Sequence, residues 1–145
     1  MGVFSKTCQY AIRAVFYIAK RSEQGYKSNI KEIASEVNSP EHFLAKILQK
    51  LSKEGLIQSI KGPNGGFYID IPHLDRPLID IVIAIEGKEL LTECGMGLSY
   101  CSEKNPCPLH KDFKIIRTKL IKLLKSTTIG QFNEELLQGQ LTLNK

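Results

Sequence analysis

Apolar positions recur along the chain with changing period, and each period predicts an element. Tyr10, Ala11, Ala14, Val15, Ile18 and Ala19 fall at helical spacing and form one stripe, which predicts a first helix over about Lys6 to Arg21. After a break at Gly25, Ser28 is placed to cap a second helix in which Ile30, Ile33, Ala34 and Val37 repeat at three and four residues, ending near Asn38. Ser39 then reads as a cap with Pro40 at the first helical position, where a missing N–H does no harm. The third helix buries Phe43, Leu44, Ile47, Leu48 and Leu51 and leaves His42, Ala45, Lys46, Gln49, Lys50 and Lys53 on its other faces. Two short helices with a tight turn suggest a helix-turn-helix.

Beyond Gly55 the period shortens. Leu56 to Ile60 and Phe67 to Ile71 read as strands joined by Lys61-Gly62-Pro63-Asn64-Gly65-Gly66, a loop whose glycines permit positive φ; the unit is a wing. A dense apolar helix follows over about Pro77 to Glu86, with Leu78, Ile81, Val82 and Ile85 on one side and Gly87 at its end. From Leu91 to Pro108 no amphipathic period survives, and Gly95, Gly97, Asn105, Pro106 and Pro108 surround Cys94, Cys101 and Cys107. Leu109, Phe113, Ile116, Leu120 and Leu123 then alternate gaps of four and three, a seam for packing along another helix. Lys111, Lys114, Arg117, Lys119, Lys122 and Lys125 lie outside it. Such a seam is ordinarily core, but the winged region has its own helices to fill, so dimer pairing is the preferred reading. A last short helix, about Ile129 to Leu137 behind Thr128 as cap, precedes a polar tail.

The expected fold is therefore mainly α: a winged helix-turn-helix with a small β-hairpin wing and a long C-terminal dimerisation helix. Residues 1–72 form the DNA-binding region and residues 73–145 carry the cysteine loop and dimerisation helix, all in one integrated domain. A length of 145 residues suits one core with an appendage. With 42% apolar and 24% charged residues, disorder and collagen are excluded, and no apolar run is long enough to span a bilayer. Met1 to Tyr10 lacks a basic segment followed by an apolar one, so the cytoplasm is expected, where cysteines serve as thiols or ligands rather than disulfides.

A net charge of +5 favours an anionic partner, and its excess lies in the N-terminal half: ten Lys/Arg against six Asp/Glu up to Pro72, ten against nine thereafter. A recognition helix fits the major groove of DNA and presents Ser39, His42, Ala45, Lys46 and Gln49 to it. Glutamine pairs bidentately with adenine, and Ser39 with the backbone amides at the helix start can hold a phosphate. Lys46, Lys50 and Lys53 supply phosphate contacts; Lys61 at the foot of the wing loop can enter a minor groove, with Asn64 in the same loop. A lysine-studded solvated face is the plainer reading of the helix alone, but the cap, the wing loop and the basic excess together favour DNA.

The cysteine loop admits three readings. Cys94 and Cys101 are separated by six residues, Cys101 and Cys107 by five, and His110 follows Cys107 after two. Three thiolates and an imidazole can close a tetrahedral zinc site, although zinc knuckles usually space their cysteines more tightly. Soft ligands on a long glycine-bearing loop also suit an iron–sulfur cluster. Unliganded thiols in a flexible loop are the third reading. Cys8, at the start of the first helix, reads as a small buried apolar residue before it reads as a ligand or a resolving thiol.

Three stretches carry a resemblance to a known family: Ser5-Lys6 through Tyr10-Ala11-Ile12-Arg13-Ala14, the wing Lys61-Gly62-Pro63-Asn64-Gly65-Gly66-Phe67, and the cysteine triplet before the long helix. Over roughly residues 2 to 137 the chain resembles the Rrf-two family of bacterial transcription regulators. The resemblance implies a symmetric homodimer on double-stranded DNA with an inverted-repeat operator, and a 2Fe–2S or 4Fe–4S cluster held by Cys94, Cys101 and Cys107. In the iron–sulfur cluster regulator branch, closest in pattern, the fourth ligand is a histidine placed as His110 is. In the nitric-oxide branch it is a partner's acidic residue, whose position is matched here by Gln9, beside Cys8. Several members have five residues between the first two cysteines, where this chain has six. Some members carry no cluster.

The resulting expectation is a DNA-binding transcription regulator, not an enzyme, tuned by its cluster, with no membrane and no small-molecule substrate. A small iron–sulfur or thiol electron-transfer protein accounts for the cysteines but not for the wing. A zinc- or disulfide-regulated DNA binder accounts for both.

Overall fold

The computed structural model describes residues 3–143, so the outermost residues of the two expected regions lie outside the described part. Its helices are α1 Lys6–Glu23, α2 Ile30–Val37, α3 Glu41–Lys53, α4 Ile79–Glu86, α5 Glu89–Thr92, α6 His110–Ser126 and α7 Asn133–Leu137. Strands β1 Gln58–Ile60 and β2 Gly66–Tyr68 form one antiparallel hairpin. Among the described residues no helix is long and apolar enough to cross a membrane. The architecture is the expected mainly helical winged helix-turn-helix.

Helix α1 is the hub. Its stripe of Ala11, Ala14, Val15, Ile18 and Ala19 is fully buried, and α2, α3, α4 and α7 all pack against this helix. Small alanines let neighbouring helices approach closely, while Ile18, Leu44, Leu48 and Leu51 fill the space between them. Phe43 is only partly buried, its ring set edge-on to Tyr10 at 5.8 Å between centroids.

Two caps differ from expectation. Asn29, not Ser28, caps α2: its side chain accepts from Glu32 N while the Glu32 carboxylate accepts from Asn29 N, a reciprocal box. Ser28 is buried because its backbone exchanges hydrogen bonds of 2.9 and 2.8 Å with Phe67, adding a one-residue rung to the wing. Pro40 itself holds the cap position of α3, and the Ser39 hydroxyl donates to the Pro40 carbonyl. Pro40 has no side chain that can cap α3, and among the described residues no side-chain cap bond forms there, which leaves the first amides to another acceptor.

The wing strands are shorter than the apolar runs. Leu56, Ile57 and Ile69 sink into the core, and the chain from Ile71 to Asp75 turns into a short 3-10 helix. The loop tolerates little but glycine at its close: a Cβ on Gly65 would lie 2.0 Å from the Ile60 carbonyl oxygen. Gly66 adopts φ +146 with Ser28 O 2.9 Å from where its Cβ would be.

Three further boundaries move. Leu78 N donates to Thr127 O and Ile129 N to Arg76 O, so Pro77 and Thr128, expected in helix α4 and as a cap, form a bridge instead. Consequently α4 begins at Ile79 and α7 at Asn133, whose buried side-chain amide donates to the Ala19 carbonyl at 3.4 Å. The one-turn helix α5 lies across the start of the stretch read as irregular.

In α6, Leu124 is buried and Phe113, Leu120 and Ile121 are partly buried. Leu109, Ile116 and Leu123, seven residues apart, remain 44%, 58% and 57% exposed. Replacing the fully buried Leu48 by Ala should lower unfolding stability by about 2–5 kcal/mol in a denaturant titration; an unchanged midpoint would contradict this packing.

Candidate sulfur centre and nucleic-acid interface

Cys94, Cys101 and Cys107 are brought together: all three sulfurs lie within 4.8 Å of one another, and Cys94 Sγ is 3.7 Å from Cys107 Sγ. His110, the first residue of α6, turns its ring so that Nδ1 lies 3.1 Å from Cys101 Sγ. Backbone amides face the sulfurs as well, Met96 N to Cys94 and Cys107 N to Cys101, each at 3.4 Å. The Leu98 and Met96 amides pull the Cys94 thiol down to about 7. Thr92, Gly95, Phe113 and Arg117 complete the wall of a cavity of about 30 Å³.

The loop has little apolar content, and one face of α6 orders it. His110, Phe113, Lys114 and Arg117 follow at helical spacing and share that face. Phe113 covers Gly95 so closely that a Cβ there would lie 2.7 Å from the ring. Lys114 Nζ donates to Glu103, and Arg117 donates to the Glu93 carbonyl at the other end of the loop. Glu103 also lies 3.4 Å from His110 Nε2, and Lys114, then His110, hold its carboxyl below the usual range. Sequence reasoning missed Glu93, Glu103 and the contact of Phe113 with Gly95. It assigned Phe113 to the dimer seam, although the spacing 110, 113, 114, 117 was there to be read.

Cys8 lies elsewhere, fully buried at the first turn of α1. Burial first, and then Glu86, push its thiol up to about 12. Glu86, at the end of α4, also accepts from Ser5 N at 2.9 Å, tying α4 to the start of α1. Gln9, matched to the acid of the nitric-oxide branch, uses its side-chain amide on the Phe4 carbonyl.

On α3, His42, Ala45, Lys46, Gln49, Lys50 and Lys53 are all exposed, opposite the buried Leu44, Ile47, Leu48 and Leu51. Ser39 is partly buried before the uncapped helix start, and Lys61 and Asn64 are exposed on the wing. A helix with an exposed basic face after a tight turn, followed by an adjacent wing, gives the chain the architecture of the winged helix-turn-helix class.

The family follows. Residues 4–135 match the Rrf2 model, described as "Iron-dependent Transcriptional regulator", and the chain belongs to that family. It is a transcriptional regulator, not an enzyme. A protein of Aquifex aeolicus named as an HTH-type transcriptional regulator is 35% identical over 130 residues, 88% of either chain. Among solved structures, CymR, the global cysteine regulator of B. subtilis, is similar with a TM-score of 0.71 at 24% identity, covering 92% of this chain and 98% of its own. T. potens IscR has a TM-score of 0.72 at 21% identity, covering 96% and 91%.

Burial separates the thiols chemically. Iodoacetamide at neutral pH should alkylate Cys94, Cys101 and Cys107 in metal-free native protein and spare Cys8, read by peptide mass mapping; native-state labelling of Cys8 would contradict its placement. The Cys8 thiol ionises near 9.0 ordinarily and near 12 when folded, so its contribution to stability is complete below pH 9 and is lost as pH rises toward 12. Cys8→Ala should flatten that part of the stability curve.

Proposed function

We propose that this regulator binds an inverted-repeat operator as a homodimer and that the state of the Cys94, Cys101, Cys107 and His110 site tunes this binding in the cytoplasm. The convergence of three sulfurs and an imidazole carries the reading. Soft thiolates with one nitrogen are donors that suit an iron–sulfur cluster, in keeping with a family described as iron-dependent. Cys94, Cys101, Cys107 and His110 would hold a 2Fe–2S or 4Fe–4S group, which supplies a centre that oxidants, nitric oxide or iron shortage can dismantle. The chain's own part is mechanical. The loop between α5 and α6 is fastened to α6, so a change in its order acts on the helix that would set the separation of two reading heads.

Leu109, Ile116 and Leu123 support the pairing, since an apolar row every seven residues on an exposed helix matches a helix-to-helix seam. Two-fold symmetry would then place two α3 helices about 34–36 Å apart in successive major grooves. On each, Gln49 is assigned to a base edge, His42 and Ala45 to the groove wall, and Ser39, Lys46 and Lys50 to phosphates. Lys61 and Asn64 reach the neighbouring groove.

One distance also fits a second reading, a single zinc ion. A tetrahedron with metal–sulfur bonds of about 2.3 Å has an edge of about 3.8 Å, and Cys94 and Cys107 are 3.7 Å apart. Two thiolates sharing one iron would stand at a like separation, so metal and sulfide content, not this distance, separates the two readings. Iron, sulfide and zinc analysis of anaerobically purified protein, with its visible spectrum, decides: stoichiometric iron and sulfide are expected, and colourless protein with stoichiometric zinc would overturn the cluster. For the DNA contacts, Gln49→Ala should cost about 1–3 kcal/mol at one base position of a duplex selected from a random pool. Lys50→Ala should weaken all duplexes alike and lower the salt slope by about 1; an unchanged base preference in Gln49→Ala would contradict the assigned face.

A further inference from the structure

The two nitrogens of His110 face different chemistry. Nδ1 lies 3.1 Å from Cys101 Sγ, on the side of the sulfurs, while Nε2 is shielded from solvent without a well-aligned hydrogen bond. The acceptor Glu103 Oε1 lies 3.4 Å from Nε2. Glu103 belongs to the loop between Cys101 and Cys107, and Lys114, one turn beyond His110 on α6, grips the same carboxylate. Side chains of Glu103 and Lys114 are 68% and 58% exposed, and an ion pair that wet contributes little to stability. Its placement on the outer nitrogen of a candidate ligand is therefore the feature to explain.

We propose that Glu103, fixed by Lys114, is the positioning residue of the nitrogen donor: its carboxylate accepts from Nε2–H and thereby leaves Nδ1 bare and aimed at the three sulfurs. A metal-binding histidine has to be held in one tautomer and one ring orientation, and a carboxylate on its far nitrogen does both while raising the basicity of the near one. The loop geometry makes this economical. Glu103 sits between two of the thiols, so the chain that presents Cys101 and Cys107 also carries the group that orients their fourth partner. Lys114 balances the charge that Glu103 brings beside the thiolates.

This assignment rests on reading the three cysteines and His110 as one donor set, so it is tested with a probe ion that does not depend on the native cofactor. Full-length metal-free protein is titrated anaerobically with Co²⁺, following sulfur-to-cobalt charge transfer and the ligand-field bands. Wild type, Glu103→Gln, His110→Ala and the double variant are compared. Glu103→Gln should weaken Co²⁺ binding about ten- to a hundredfold and move the ligand-field bands toward those of His110→Ala. Adding Glu103→Gln to His110→Ala should weaken binding no further. Lys114→Ala, which leaves both loop and imidazole intact, should shift affinity in the same direction by less.

Unchanged affinity in Glu103→Gln, or an equal loss with and without His110, would overturn the assignment, because the carboxylate would then act on the loop and not through the ring. The expected Co²⁺ pattern in protein that takes up no iron and sulfide upholds the role of Glu103 while overturning the cluster. Cluster uptake together with an indifferent Glu103→Gln overturns the role of Glu103 alone.

Discussion

One face of α6 holds a loop that has no core of its own. Fixing a residue's backbone costs about 1–2 kcal/mol, and the run from Glu93 to Leu109 recovers little of that by burial. Its order comes instead from Phe113 pressed on Gly95, Lys114 on Glu103, Arg117 on the Glu93 carbonyl and His110 beside Cys101. These contacts bring the sulfurs to one point and make the loop a dependent of the helix. In the proposed switch, a disturbance at the sulfurs would pass to α6 through these contacts.

The route from that helix to the exposed basic helix α3 is short. Past α6 the chain bonds back to the entry of α4 through Thr127 and Ile129, and α4 ends at Glu86, which receives the Ser5 amide at the head of α1. Helix α1 packs on both α2 and α3, and α4 also packs directly on α3, so α3 stands two contacts away from the helix that anchors the loop. The exposed row Leu109, Ile116, Leu123 lies on the same helix, and in the proposed dimer it would set how far apart two such assemblies stand. The buried thiol of Cys8 is part of this frame and not of the sulfur site, since burial keeps it protonated.

Much of the fold was legible because its signals are local. The alanine and isoleucine stripe of α1, the three- and four-residue repeats of α2 and α3, and the glycine-rich loop before Phe67 each act within a few residues. The caps were misread where two neighbouring polar residues competed. Ser28 and Asn29 can both cap, and the choice fell to Asn29 because Ser28 is claimed by Phe67 of the wing strand. Thr128 and Pro77 failed as helix signals for the same reason, a backbone pairing between distant segments. At the site, the three cysteines and His110 were visible as chemistry. The shared face of His110, Phe113, Lys114 and Arg117 was present in the spacing, but Glu103 was invisible because nothing in its own position says that the loop folds back over the next helix.

The coupling of sulfur site to operator is the central claim, and DNA affinity measured in the two states of the site addresses it most directly. Anaerobic protein loaded to stoichiometric iron and sulfide, the same protein after chelation, and the Cys94→Ser/Cys101→Ser/Cys107→Ser variant are titrated onto one selected duplex and one scrambled duplex. The loaded form should differ from the other two in affinity or in its preference between the duplexes, and the chelated and serine forms should agree with each other. Equal affinity and equal preference in all three would contradict it.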